Sequence, residues 1–388
     1  MDVLTFPGSK FAADHAVLCF SHLRWDFVFQ RPQHLLTRFA KRHDVLFIEE
    51  PVYADGEPRF VVTPRQDGLK VAVPHLPHDT DVTTIDSLMS SLLDRLIEDE
   101  GIEKFIAWYY TPMMLSWSEH LRPVAVVYDC MDELSAFKNA PAEIRIKEAE
   151  LFALADLVLT GGRSLYEAKR EQHPAVYCFP SSIDAKHFAR ALDVENEPGD
   201  QTNIPHPRIG FCGVIDERTD IGLLRRVAEM RPDWQFVMLG PVVKIDENAL
   251  PRLDNIHYLG GKDYSDLPEY IGGWDVAMMP FALNESTRFI SPTKTPEYLA
   301  AGKPVVSTAI RDVVRPYGEA DLVKIAETPE QFVAAIEAAM TEDLVEHRRK
   351  SAEFLETMSW DKTYEAMSEL IDEVIMSKKA SVATTKGI

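Results

Sequence analysis

The stretch 275–308, DVAMMPFALNESTRFISPTKTPEYLAAGKPVVST, constrains the fold of this chain more than any other. Residues 275–279 form a short apolar run that stops at Pro280, the form of a buried strand. A polar loop follows at 284–288. Ser291 then stands as a helix N-cap, with Pro292 at the first helical position, where a missing N–H is tolerated. Gly302 closes the helix and Pro304 prevents its return. Val305 and Val306 open the next strand. Strand, loop, helix and strand in this order build a parallel sheet.

The start of that helix is where chemistry is expected. Backbone N–H groups from Ser291 through Thr293 to Lys294 have no partner within the helix, and the helix dipole adds positive charge there. Such an end takes up anions, phosphates above all. Lys294 adds a full charge, and Glu297, three residues on, shares its face. The pair suits a nucleotide diphosphate, with Lys294 for phosphate and Glu297 for ribose hydroxyls. An ordinary capped helix with an exposed Lys–Glu pair fits the same spacing.

The segment SPTKTPEYLAAGKPVV resembles the donor-binding segment of GT-B glycosyltransferases. It is closest to the retaining family 4 (group 1) enzymes of bacterial exopolysaccharide and cell-surface polysaccharide biosynthesis. In that family the glutamate matching Glu297 is the second of a Glu-x7-Glu pair and holds the donor ribose. The first of the pair would fall at Phe289, a departure from the pattern.

Composition narrows the alternatives. A chain of 388 residues exceeds what one hydrophobic core organises, so two domains are expected. A formal charge of −21 excludes nucleic acid as a partner and adhesion of the whole surface to anionic lipid. It leaves room for weak peripheral association through a local patch at the inner face of the cell membrane. No apolar run approaches a membrane span, and residues 1–17 lack the form of a signal peptide, so a cytoplasmic location is expected. Cys19, Cys130, Cys178 and Cys212 form no Cys-x-x-Cys pair and read as reduced, buried thiols.

In chain order, a strand at 16–20 runs into SHLRWDFVFQRPQHLLTRFA, a polar loop and then a helix. Loops at the carboxyl ends of parallel strands form the ligand crevice of α/β proteins. Trp25, Gln30, Arg31 and His34 are therefore candidates for contact with donor phosphate or acceptor. The segment also resembles the N-terminal loop of the same glycosyltransferases. A hairpin or an extended excursion is expected at 58–77. Asp79 and Asp81 spell Asp-x-Asp, but in a proline-bearing loop before a helix they need no metal to explain them, and His75 with His78 lacks a third ligand.

The strand in VAVVYDCMDE runs directly into carboxylates, placing Asp129 and Asp132 at its carboxyl end, facing the crevice. Either could bind sugar hydroxyls or stabilise positive charge at the sugar carbon, and Asp132 could equally cap the next helix. Gly161 and Gly162, between a strand and a helix, allow close backbone approach. Residues 192–207 are acidic and poor in apolar side chains, as a linker is. At 208–218 a strand feeds Gly213 and a charged turn. In related enzymes this loop brings two cations to the donor diphosphate; Arg218 matches the second, and Val214 stands at the first. Residues 260–268 resemble the segment that meets the nucleobase, with Tyr264 placed to stack on it.

The resemblance implies an α/β protein of GT-B architecture: two Rossmann-like domains with parallel sheets facing an interdomain cleft. The expected units are an acceptor-side domain at 1–191, a linker at 192–207 and a nucleotide-sugar-binding domain at 208–358. A helix at 359–376 then crosses back, and 377–388 is a disordered tail. The implied activity is transfer of a sugar, with retention, from a nucleotide diphosphate sugar to a glycan or lipid-linked glycan. Lys294, Arg218 and Asp129 are the expected catalytic groups, and no metal or cofactor is required. The alternatives are a nucleotide-sugar 2-epimerase, which shares the architecture, and a non-catalytic nucleotide-sugar-binding protein.

Overall fold

The computed structural model describes residues 15–195 and 197–386, with side chains to residue 381. The first sheet contains β1 (Ala16–Ser21), β2 (Val45–Glu49), β3 (Val52–Tyr53), β4 (Arg59–Gln66), β5 (Leu69–Leu76), β6 (Phe105–Tyr109), β7 (Ala125–Cys130), β8 (Leu157–Thr160) and β9 (Val176–Cys178). Its order is β3-β5-β2-β1-β6-β7-β8-β9, all parallel, and β4 joins β5 as the antiparallel arm of the expected hairpin. Strand β1 is buried at all six positions, as an apolar run covered on both faces must be. Leu18 and Phe20 face a layer with Met89 and Leu92 of the helix Ile85–Asp99. Val17 and Cys19 face the other way, onto Leu35 and Leu36 of the helix Arg31–Phe39.

The second sheet contains β10 (Arg208–Cys212), β11 (Gln235–Leu239), β12 (Ile256–Gly260), β13 (Val276–Met279), β14 (Val305–Ser307) and β15 (Val323–Ile325), all parallel. The order β12-β11-β10-β13-β14-β15 starts in the middle, builds to one edge and returns to the other side. The order reverses between β10 and β13, and in the first sheet between β1 and β6. Loops leaving a sheet at such a point diverge and open a crevice.

Three expectations are corrected. The helix of the 275–308 stretch runs Lys294–Ala300, with Thr293 and not Ser291 at its N-cap. Residues 292–295 first make a turn, Thr295 N–H to Pro292 O at 3.3 Å, and Gly302 still closes the far end at φ 67°. Residues 183–191 do not stay with the first sheet, because Ile183, Phe188 and Ala191 are packed into the second core. The 192–207 segment is docked on the second unit: Gln201 is fully buried, donates to Tyr270 O at 2.9 Å and accepts the Trp274 indole N–H at 2.9 Å. The last helix runs Trp360–Lys386, past the expected start of disorder at 377. Lys378 pairs with Asp156 of the first unit at 2.6 Å and helps hold it. The expectations for residues 1–14 and 387–388 lie outside the described residues.

The last helix packs on the first unit, with Met367, Ile371 and Ile375 in the same cluster as Val17 and Trp108. The chain thus crosses between the sheets near 179–183 and again near 358–360, where Trp360 N–H reaches Ile183 O at 3.4 Å. Among the described residues no helix is long and apolar enough to cross a membrane.

Candidate active site

A cleft of about 640 Å³ lies where the two switch points face each other. Its first wall is the loop after β1, tied down by backbone-directed bonds. Glu49 accepts the Trp25 N–H at 2.8 Å and an Arg24 N–H at 2.9 Å. The Gln33 amide donates to Trp25 O and Val28 O, and its oxygen accepts the Gln30 N–H at 3.0 Å. Trp25, Gln30 and Arg31 all line the cleft. Trp25 also sets its ring edge-on to Phe47, at 5.1 Å.

Asp129 is not in the crevice. It is fully buried within β7, which continues to Cys130, so the strand's open end begins one residue later. Its carboxylate accepts from Arg31 Nε at 3.1 and 3.0 Å and from Nη2 at 2.9 Å. Arg31 Nη1 donates to Phe179 O at 2.8 Å, so the pair pins the helix start and the exit from β9 together. Burial pushes the Asp129 carboxyl up, and the Arg31 guanidinium pulls against it. Asp132 is the carboxylate that reaches the cleft. Burial raises it to about 6, while Arg218, Arg31 and Lys244 oppose the rise.

The second wall carries the donor-side groups. Lys294 lies in the cleft with its side chain 21% exposed, and its ammonium meets Glu297 at 3.0 Å. Burial works against that charge, yet Glu297 holds the Lys294 pKa above the usual lysine value. Gly213, in the loop after β10, lies beside Lys294: a Cβ there would stand 3.7 Å from the Lys294 Cε, in ordinary contact, and 3.0 Å from the Phe211 ring. Tyr298, one helical turn on, fixes the same approach by accepting the Cys212 N–H at 2.7 Å. Glu297 is buried and turned to Lys294; it is not among the cleft-lining residues. The ribose-holding role therefore has no open geometry here. Ser291 and Thr293 line the cleft as expected.

Arg218 also lines the cleft, but Asp216 holds it at 2.7–3.1 Å through both oxygens. Its guanidinium sits 5.7 Å from the ring centre of Phe137, which follows β7 of the first sheet, and the Lys244 ammonium lies 5.8 Å from the same ring. The charge missing at Val214 thus has a neighbour in Lys244, from the loop after β11. Phe289, in place of the carboxylate of the family pair, packs against the first hydrophobic core. It makes an apolar contact between the domains.

Aromatic packing surrounds two of the candidates, Tyr264, which lines the cleft, and His34, which does not. Tyr264 stacks on Phe29 at 4.4 Å and on His187 at 4.3 Å, so both its faces are covered. His34 stacks on Trp360 at 4.6 Å and meets Phe29 edge-on. Burial first, then Arg38 and Lys294, push its pKa well below the usual histidine value, so it stays neutral. Phe29, Phe137, Lys244 and Trp360 carry no motif that would single them out in the sequence. Asp81 accepts from the Thr83 N–H and hydroxyl at 2.9 Å, the local turn role expected of it. Among the described residues no group of three or more His, Cys, Asp or Glu side chains is arranged to hold a metal ion.

A larger cavity, about 800 Å³, lies on the hinge side, lined by Tyr177, Tyr317, Phe354 and Met358. The two spaces share Ser181 and Ser291. Lys294, Arg218 and Asp132 all line the smaller one.

Comparison with known proteins agrees with this geometry. Residues 206–342 match the glycosyl transferases group 1 family. A protein of Bacillus subtilis (strain 168), named as a teichuronic acid biosynthesis glycosyltransferase, TuaH, is 27% identical over 286 residues, 65% of this chain and 68% of that one. Among solved structures, the E. coli trehalose-6-phosphate structure with bound UDP-2-fluoro glucose aligns over 93% of this chain and 99% of its own. Its TM-score is 0.69 at 12% identity. WaaG, a glycosyltransferase of lipopolysaccharide biosynthesis, aligns over 92% of this chain and 99% of its own, with TM-score 0.60 at 13% identity. At such identity these two matches speak for the fold. Two parallel sheets meeting at a charged cleft, with a group 1 domain over residues 206–342, make this chain a glycosyltransferase of the GT-B fold.

Proposed function

We propose that this protein transfers a sugar from a nucleotide diphosphate sugar to a hydroxyl of a glycan or lipid-linked glycan, in the assembly of a surface polysaccharide. The observation that carries the reading is the Lys294–Glu297 pair beside Gly213, in the same cleft as the Asp132 carboxyl. The likeness to the teichuronic acid protein supports the polysaccharide setting, and the family 4 resemblance supports retention. Lys294 faces the leaving diphosphate, whose charge grows as the glycosidic bond breaks. Arg218 is engaged with Asp216 and serves second. Closure of the domains keeps water from the donor. The reading also places the protein in the cytoplasm, with weak attachment at the inner face of the membrane. Incubation with a panel of uridine, guanosine, adenosine and thymidine diphosphate sugars and a lipid-linked acceptor tests it. A new glycoside of retained anomeric configuration, read by proton NMR, is the expected product; free sugar alone would count against transfer.

Cations of the protein carry the leaving-group charge in this scheme, so no divalent ion takes part. Turnover should survive EDTA, and Asp79→Ala with Asp81→Ala should change it little. Loss of turnover in EDTA, restored by magnesium or manganese, would rule this out.

Asp132 gives the reaction an acid limb. Its carboxyl, held near 6 by burial, is charged above that pH and neutral below it. Only the charged form can take the proton of an acceptor hydroxyl or steady positive charge at the sugar carbon. We expect kcat/KM to fall about tenfold per pH unit below the Asp132 pKa. In Asp132→Asn, kcat/KM should be low and flat across that range. A variant that keeps the wild-type limb would free Asp132 of this role.

A further inference from the structure

Gly161 and Gly162 stand between the two walls of the cleft. A Cβ on Gly161 would lie 2.5 Å from Met131 O, in the residue before Asp132. A Cβ on Gly162 would lie 2.4 Å from Asp312 Oδ2 and 2.9 Å from Ser291 Cβ. One glycine therefore touches the loop of the acceptor-side carboxylate, and the next touches the loop that leads to Lys294. Any side chain here would push the walls apart.

The helix Arg163–Lys169 begins at this point, and Gly162, at its N-cap, has no side chain to offer. The cap comes from the other domain. Asp312 Oδ1 accepts the Ser164 N–H at 3.0 Å. Asp312 is only 6% exposed, and its Oδ2 has no hydrogen-bond partner among the described residues. Two further contacts flank it across the same boundary. Ser181 Oγ donates to Ser291 O at 2.6 Å, and Arg311 pairs with Glu167. If the domains part, the Ser164 N–H loses its cap and Asp312 meets water. Closure therefore satisfies backbone of one domain with a carboxylate of the other.

From this placement we propose that Asp312 is a positioning residue. By capping Ser164 across the domain boundary, it holds the 291–294 loop in register with Asp132 in the closed cleft. The proposal rests on the cleft being the sugar-transfer site. It concerns the closed state, not contact with substrate, so it separates rate from nucleotide binding. On that reading nucleotide is held by the residues that line the second wall of the cleft, and Asp312 is not among them.

Three variants test it: Asp312→Ala, Asp312→Asn and Gly162→Ala. We expect Asp312→Ala to lower kcat about 3- to 30-fold, the range set by loss of a helix cap. Affinity for UDP, GDP, ADP or TDP, whichever binds, should stay within about twofold by calorimetry. Asp312→Asn keeps an acceptor oxygen for Ser164 and should restore most of the rate. Gly162→Ala should resemble Asp312→Ala. Spin labels on the two domains should report a longer distance in nucleotide-bound Asp312→Ala than in wild type. A parallel loss of rate and nucleotide affinity would overturn the proposal. So would an unchanged rate with only a lower melting temperature, or Asp312→Asn as slow as Asp312→Ala. Should Asp312→Ala fail to fold, the other two variants carry the same comparison. If the wild-type protein transfers no sugar, the transfer reading falls, and the label distances still decide on the latch.

Discussion

Lys294→Ala should lower kcat by about 10- to 150-fold, the range for losing a hydrogen bond to a charged group worth about 1.5–3 kcal/mol. The expectation follows from where the ammonium stands. It lies in the cleft beside Gly213, and its other partner is a buried carboxylate. A diphosphate gains charge as it leaves, so the interaction is stronger in the transition state than in the bound donor. The loss should fall on kcat, with nucleotide affinity reduced less. The structure adds a complication absent from the spacing alone. Removing Lys294 strands Glu297, which is 5% exposed, without its ion-pair partner. Part of any loss would then come from an uncompensated buried charge. Lys294→Ala combined with Glu297→Gln removes that charge. The double variant should regain melting temperature without regaining rate. Full activity in Lys294→Ala, or recovery of rate together with stability in the double variant, would return this helix to a purely structural role.

Much of the fold was legible because apolar runs and glycine–proline punctuation act locally. The run Val276–Met279, the stop at Pro280 and the close at Gly302 have consequences within a few residues. Cleft residues are legible where side chains follow a strand's end or open a helix: Trp25, Gln30, Ser291, Thr293 and Lys294 all line it. Lys294 has Glu297 on its own helix and the cleft on its other side. Asp129 was misplaced because sequence shows a carboxylate after a strand but not the register that ends the strand. Its true partner, Arg31, lies 98 positions away. His34 reads as a ligand contact for a similar reason. Its stacking partner Trp360 opens the last helix, far along the chain, and no local pattern foretells such a stack. Residues 183–191 look like the end of the first domain because they follow its last strand. Their apolar face nonetheless completes the second core, next to Leu267 and Tyr298.

Asp129→Ala should destabilise the fold by about 3–5 kcal/mol, the cost of leaving one member of a buried ion pair without the other. Domain stabilities are of order 5–15 kcal/mol, so this is a large fraction of the total. Arg31 would stay 97% buried, keeping its bond to Phe179 O but losing its three contacts to the carboxylate. The contrast with a catalytic carboxylate is direct. A group in the cleft would lose rate on replacement and leave the urea midpoint alone. A buried strut moves the midpoint, and the molecules that remain folded keep their turnover. A second substitution sharpens the test. A buried pair replaced by apolar side chains of similar size is often neutral or stabilising. Asp129→Leu with Arg31→Met should therefore recover most of what either single change loses. One cost remains in the double variant: Phe179 O loses its donor, worth about 1–3 kcal/mol if no water replaces it. Singles whose losses simply add in the double variant would show no coupling between Arg31 and Asp129. A normal midpoint with abolished turnover in Asp129→Ala would put the carboxylate back in the chemistry.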